Sequence, residues 1–422
     1  MMLRVAATAT LLSVASIAHS GDWPAWRGPD GMGQCPESKL PLRWSDTENV
    51  RWKVALPDRG NSTPVIWRDR IFLTQGTDKG RKRSTLCLDR RDGHTLWERT
   101  VEYTKREPTH ETNYYCSASA ATDGERVVVS HGSAGVWCYD FDGRELWHRD
   151  LGECQHIWGN AASPVLFQDL VFLNFGPGER TFLIALDKKT GQDVWKADEP
   201  GGRSGDKGQS EWLGSWSTPV VARINGRDEL VMTWPGVVKS YNPRTGDLFW
   251  QCSGLAKDKA PDRLVYTSPL VTSDVVVAMA GFGGPAIAVK TGGSGDVTGT
   301  HRLWRHPTAP QRIGSGVIVG DHVYIVDEPG TMRCIECQTG NLLWDQRLTS
   351  STWGSLVHAG ERLYITNRDG ETFVLAAKPK FEVLSRNPLK ETTQASVAVS
   401  DGEIFIRTFK HLWCIREGAT PR

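Results

Sequence analysis

Ala185-Leu186-Asp187-Lys188-Lys189-Thr190-Gly191-Gln192-Asp193-Val194-Trp195 is the stretch whose reading decides the fold. An aspartate that caps its own turn, a glycine free to take positive φ and a tryptophan opening the next run describe a β-hairpin. The phrase recurs from Cys87 to Trp97, Cys138 to Trp147, Ser240 to Trp250 and Cys334 to Trp344. A copy interrupted by a glycine-rich insertion runs from Ala288 to Trp304, and a copy without the aromatic runs from Val374 to Leu384. Trp97, Trp147, Trp195, Trp250, Trp304 and Trp344 follow one another at 50, 48, 55, 54 and 40 residues. That is the length of a four-stranded propeller blade with variable loops. A flat indole at one fixed outer-strand position is suited to wedging between neighbouring blades.

A second periodic element opens each unit: a small hydroxyl residue before a β-rich run. Its members are Thr63, Ser119, Ser163, Thr218, Ser268, Ser315, Ser355 and Ser396. Small residues suit innermost strands crowded around one channel. Eight starts stand against seven ends. The run Asn49 to Leu56, with Trp52, resolves the mismatch by supplying the outer strand of the last blade and closing the ring. The expectation is an all-β, eight-bladed β-propeller of four-stranded antiparallel blades. It divides the chain into a signal peptide (1–20), an N-terminal arm (21–48), the propeller (49–417) and a short tail (418–422).

Composition agrees with this class. The 422 residues include 18 tryptophans against six methionines, which is not the make-up of a helical bundle. A net charge of +1 lacks the basic footprint of a nucleic-acid binder. Beyond the N-terminus no run is apolar and long enough for a membrane span. At the N-terminus, Arg4, the apolar run Val5 to Ala18, and Ala18-His19-Ser20 before Gly21 read as a secretory signal. No cysteine stands at the cleavage point for a lipid anchor. The chain is therefore expected in the periplasm or outside the cell, where its nine cysteines could pair, with at least one left over.

The phrase Ala-x-Asp-x-x-Thr-Gly-x-x-x-Trp resembles the pyrroloquinoline-quinone (PQQ)-like propeller repeat. The resemblance runs from Trp23-Pro24-Ala25-Trp26-Arg27-Gly28-Pro29 to His411-Leu412-Trp413-Cys414. That family includes quinoprotein alcohol dehydrogenases and the propeller lipoprotein of the outer-membrane assembly machine. It implies the fold more strongly than the function, because one scaffold serves enzymes and docking platforms alike. The dehydrogenases of the family hold PQQ with calcium, use an aspartate base and carry a disulfide between adjacent cysteines. No two cysteines are adjacent here, and no acid of this chain maps onto their base or metal ligands.

Other chemical motifs are weak. Cys334-x-x-Cys337 is followed by Gln338 rather than the histidine of a covalent haem site, and Cys334 occupies the small-residue position of the repeat. It reads as a buried small hydrophobe. Gly281 to Gly284 and Gly292 to Gly295 read as turns of the fifth blade rather than phosphate loops. Neither a Gly-x-Ser-x-Gly elbow nor a His-Glu-x-x-His helix is present. No catalytic or metal residue is assigned.

Function is expected on the loops that lead into the inner strands, which cluster around one channel mouth. The candidate ligand-binding residues there are Arg59, Asn61, Asn113, His156, Trp158, Asn160, Trp212, Trp216, Tyr266, Arg312 and Trp353. Aromatics beside amides, histidine and arginine suit a sugar ring, a peptide strand or a planar cofactor. The reading is a non-catalytic binding or scaffolding protein whose partner is an envelope protein, a peptide or a glycan, with no cofactor assigned. A PQQ- and calcium-dependent alcohol or sugar dehydrogenase, and a polysaccharide-binding protein, are the alternatives.

Overall fold

The computed structural model describes residues 21–202, 213–258, 263–308 and 312–419. The expected signal peptide and Trp212 lie outside these residues. Eight antiparallel sheets of four strands form a ring, the eight-bladed β-propeller that the repeat predicts. The first blade runs outward from the axis as Val65–Trp67, Arg70–Thr77, Lys82–Asp89 and Thr95–Glu102. The eighth takes Ala398–Ser400, Glu403–Arg407 and His411–Arg416 from the end of the chain and Val50–Ala55 from its beginning. Trp52 pairs with Cys414 in that last ladder, so strands far apart in sequence close the ring.

The register explains the repeated phrase. In every blade the third and fourth strands carry a local register shift. Next to this shift each tryptophan sits opposite the small residue of its own copy: Trp97 on Cys87, Trp147 on Cys138, Trp195 on Ala185, Trp344 on Cys334. A bulge turns the outer strand and re-aims the side chain. The indole then leans on the next blade. Nε1 of Trp52, Trp97, Trp147, Trp195 and Trp304 donates to the backbone oxygen of Arg90, Phe141, Lys188, Pro243 and Cys337, at 2.8–2.9 Å. The glycine of that neighbouring turn packs against the same ring. A Cβ on Gly191, whose φ is +70°, would sit 2.6 Å from the Trp147 indole. Glycine and tryptophan of one phrase thus serve two different interfaces.

The core is distributed accordingly, because each apolar cluster joins consecutive blades. Val65, Phe72 and Trp97 of the first blade meet Val127, Val129 and Tyr139 of the second, and six further clusters continue the series around the ring. All nine cysteines are buried and unpaired. For four of them the repeat gives the reason: Cys87, Cys138, Cys334 and Cys414 stand one per blade, each facing an indole rather than another thiol.

The glycine-rich insertion departs from a simple turn. Gly295–Asp296 runs parallel to the outer strand of the fourth blade, bridging Trp250 and Gln251, and covers an edge that would otherwise be open. With the neighbouring turn rebuilt, Trp250 donates instead to Glu229 at 2.8 Å.

Candidate functional site

The hydroxyl residues that open the blades join around the axis. Thr63, Ser119, Ser163, Thr218, Ser268, Ser315 and Ser355 each donate their backbone N–H to the hydroxyl of the next member, at 2.8–3.0 Å. Ser396 donates to Thr63 at 3.2 Å and closes the circle. An inner strand has no partner on its axial side, so its first amide needs an acceptor there. A side chain one carbon long reaches the neighbouring blade without filling the channel.

Above this ring the loops enter, each held by the blade beneath it. The segment carrying Asn113 is anchored by a buried ion pair, Arg83 Nη1 to Glu107 Oε2 at 3.0 Å. The Arg83 guanidinium also lies over the rings of Tyr103 and Tyr115, and the Ser133 N–H donates to Glu107. Asn113 Nδ2 donates to the Trp158 oxygen at 2.6 Å, tying the loops of two blades together. Leu213–Ser215 and Arg263–Val265 pair as a short parallel ribbon just before Trp216 and Tyr266. Trp216 Nε1 donates to the Gly159 oxygen at 2.9 Å.

These loops enclose a cavity of about 460 Å³ on the axis, within the range of small-molecule sites (~300–1,000 Å³). One wall is aromatic: Trp158 lies 6.1 Å from Trp216 and 6.5 Å from Phe282, and Trp216 lies 5.3 Å from Tyr266. Trp353, Asn61 and Gln394 face it from other blades, above the ring hydroxyls of Thr63, Ser163, Thr218, Ser355 and Ser396.

The arm reaches the opposite end of the channel. Trp23 exchanges backbone hydrogen bonds with Ile66, the Pro24 oxygen accepts from Thr122, and Gln34–Cys35 runs parallel to His358–Ala359. Arg27, buried, donates Nη2 to the oxygens of Met32 and Gly316 at 2.5 and 2.6 Å, and burial pushes its guanidinium down to about 9. Trp26 and Thr218 line both the axial cavity and a second pocket of about 270 Å³ on the arm side, so the two adjoin at these residues.

Six of the residues expected from the sequence line the cavity: Asn61, Asn113, Trp158, Trp216, Tyr266 and Trp353. Four lie elsewhere. Arg59 is exposed and stacks 4.0 Å over Tyr114. His156 is buried behind the wall, edge-on to Trp216 at 4.9 Å, and burial pushes its imidazole down to about 4. Asn160 donates to the Gly176 oxygen at 2.5 Å and belongs to a small neighbouring pocket. Arg312 is buried beside the Ala280 oxygen, with its guanidinium lowered to about 10 by burial. Trp26, His110, Phe282, Ile313 and Gln394 line the cavity without having been singled out. Gln394, two residues before the ring member Ser396, stood beside a signal that the repeat did provide.

Among the described residues no Asp, Glu, Lys or Arg lines the cavity, and no cluster of three metal-ligating side chains occurs. PQQ is a tricarboxylate whose calcium needs carboxylate oxygens, so these residues do not fit that group.

Fold and axis together define the class: a closed eight-bladed PQQ-repeat propeller with a ligand-sized axial cavity that its N-terminal arm borders. The chain belongs to the family described as outer membrane protein assembly factor BamB, whose model matches residues 81–309 and 294–408. The BamB of Shewanella oneidensis is 22% identical over 324 residues, covering 71% of this chain and 73% of that protein. The BamB structure from Moraxella catarrhalis superposes with a TM-score of 0.61 at 14% identity, over 86% of this chain and 98% of that one. The quinohemoprotein alcohol dehydrogenase from Comamonas testosteroni superposes at 0.68 with 12% identity, over 96% and 82%. At such identities the structural likenesses establish the fold alone.

Proposed function

We propose that this chain is a non-catalytic binding propeller of the cell envelope that holds a partner at the funnel end of its axis. The observation that carries the reading is the axial cavity, walled by aromatic, amide and hydroxyl groups and His110 from many blades and bordered on one side by Trp26 of the arm. Aromatic, amide and hydroxyl walls of this kind suit binding. Membership of a family named for outer membrane protein assembly supports the envelope setting and a protein-contacting rim. No helix of the described residues is long and apolar enough to cross a membrane.

The test is photocrosslinking in intact cells, with p-benzoylphenylalanine replacing Arg59 or Trp353 at the funnel and Leu342 on the exposed outer edge. Discrete adducts in the envelope fraction from the funnel positions alone are expected. Equal adducts from Leu342, or none from the funnel, would overturn the assignment. A parallel titration with PQQ and calcium, followed by tryptophan fluorescence and dye reduction, should show no saturable response. Turnover of an alcohol or an aldose would refute the non-catalytic reading.

A further inference from the structure

We infer that the arm-side pocket, at the end of the channel away from the funnel, docks a basic extended segment of a partner protein as an added strand on the third and fourth blades. The argument starts from the register of the inner strands. Val65–Trp67 and Val165–Phe167 pair with their second strands identically, Ile66 opposite Ile71 and Leu166 opposite Val171. The residue three places after each ring hydroxyl therefore turns its N–H and C=O away from its own blade, toward the channel. Ile66, Thr122, Leu166, Val221, Ile318 and His358 all hold this position.

The arm takes these groups at four blades. Trp23 exchanges both bonds with Ile66 at 2.9 Å, and the Pro24 oxygen accepts the Thr122 N–H at 2.8 Å. Farther on, Gln34 Nε2 donates to the Ile318 oxygen at 2.6 Å, and the Gly33 oxygen accepts the His358 N–H at 2.8 Å. The counterparts Val271 and Val399 are buried in apolar clusters with Met32 and Leu40 of the arm. Between its two sets of contacts the arm runs as turns and bends over 26–32. There the channel-facing N–H and C=O of Leu166 and Val221 meet no partner among the described residues. Val65–Trp67, under the arm, is buried along its length, whereas Val165–Phe167 is partly open along its length.

Leu166 and Val221 both line the pocket of about 270 Å³. Trp23 and Ala25, two residues apart, bridge neighbouring blades, so an extended segment of three residues spans Leu166 and Val221 on the same terms. The walls add apolar contacts from Trp26, Phe167 and Pro219, and their charged members among the described residues are Asp30 and Asp123. Asp123 is held by Lys188 at 2.6 Å. Asp30 is exposed and accepts one bond, from the Met32 N–H at 2.8 Å. Arg27, whose charge reaches Asp30, directs its donors to the oxygens of Gly31, Met32 and Gly316. A lysine or arginine of the incoming strand would meet the Asp30 carboxylate, and an acidic strand would be repelled.

The experiment is calorimetric titration of the purified full chain with capped pentapeptides of alanine, valine and leucine that carry lysine at each position in turn. At least one should bind saturably. Exchanging its lysine for glutamate should weaken it roughly tenfold or more. N-methylation of the bound peptide, one residue at a time, should abolish binding at the positions that donate to the strand edge. Asp30→Asn keeps the acceptor for Met32 and should weaken the lysine peptide without lowering the melting temperature. Amide hydrogen exchange reads the site directly: Leu166 and Val221 should exchange fast in the free protein, unlike Ile66 and Thr122, and gain protection with peptide. No binding at millimolar concentration, equal binding of every N-methylated form or of the glutamate form, or no protection gained at Leu166 and Val221 would overturn the inference. The funnel crosslinks do not depend on this end of the channel, so the two sites stand or fall separately.

Discussion

The rim and the axis of this propeller are built on opposite terms. At the rim, the indole nitrogens of five blades meet a carbonyl of the next blade, small residues face indoles, and turn glycines lie against the ring of the preceding blade. At the axis the backbone amides are satisfied by the hydroxyl circle, and the side chains above it stand around an aromatic cavity instead of filling the centre. The molecule is thus packed tightly where the repeat is strictest and left hollow where it lapses.

The sharpest way to break this contrast is at the rim. Trp147→Ala should lower unfolding free energy by about 3–5 kcal/mol, because it empties a packed interface between two blades. Urea denaturation would measure it, and a loss below about 1 kcal/mol would show that the interface relaxes around the hole. Gly191→Ala attacks the same contact from the other side. Its methyl would lie 2.6 Å from the Trp147 ring at a φ of +70°, so a loss of about 2–4 kcal/mol is expected.

Acid probes the loops that carry the site. Burial, with the Arg83 charge adding to it, pushes the His131 imidazole down to about 3 from 6.5, while the unfolded chain titrates normally. Stability present above pH 6.5 is lost as pH falls toward 3, by about 2 kcal/mol between pH 7 and pH 5. Urea midpoints at the two pH values would show it, and that part of the difference should vanish in His131→Gln. The smallest effect belongs to the circle. Ser163→Ala strands the Ser119 amide, but the hydroxyl borders the cavity and water can replace it there. A loss of about 1 kcal/mol is expected in thermal or urea melts, and a loss as large as that of Trp147→Ala would mean that the axis, not the rim, holds the ring together.

The candidate site was only partly legible before the structure. Trp158, Trp216, Tyr266 and Trp353 were visible because aromatics in long loops before the inner strands had one face to occupy. Arg59 and Arg312 share that placement, yet one stacks on Tyr114 at the surface and the other is buried beside Ala280. Position in a loop settles which end of the channel a residue reaches, not which way its side chain turns. Gln394 stood two residues before the ring member Ser396, but a glutamine there has no local meaning until its neighbours are known.

Blade number, ring closure by the Trp52 strand and the tryptophan–glycine rim belong to the sequence alone. Each is a short-range rule of turn and strand repeated many times, so its periodicity outweighs the exceptions. The tertiary structure decided the route of the arm, the place of Trp26 beside the axial cavity and the burial of Arg312 and His156 away from it. Those depend on contacts made once, between residues such as Gln34 and His358 that lie hundreds of positions apart. A contact made once leaves no period to read, and only the closed ring brings its partners within reach.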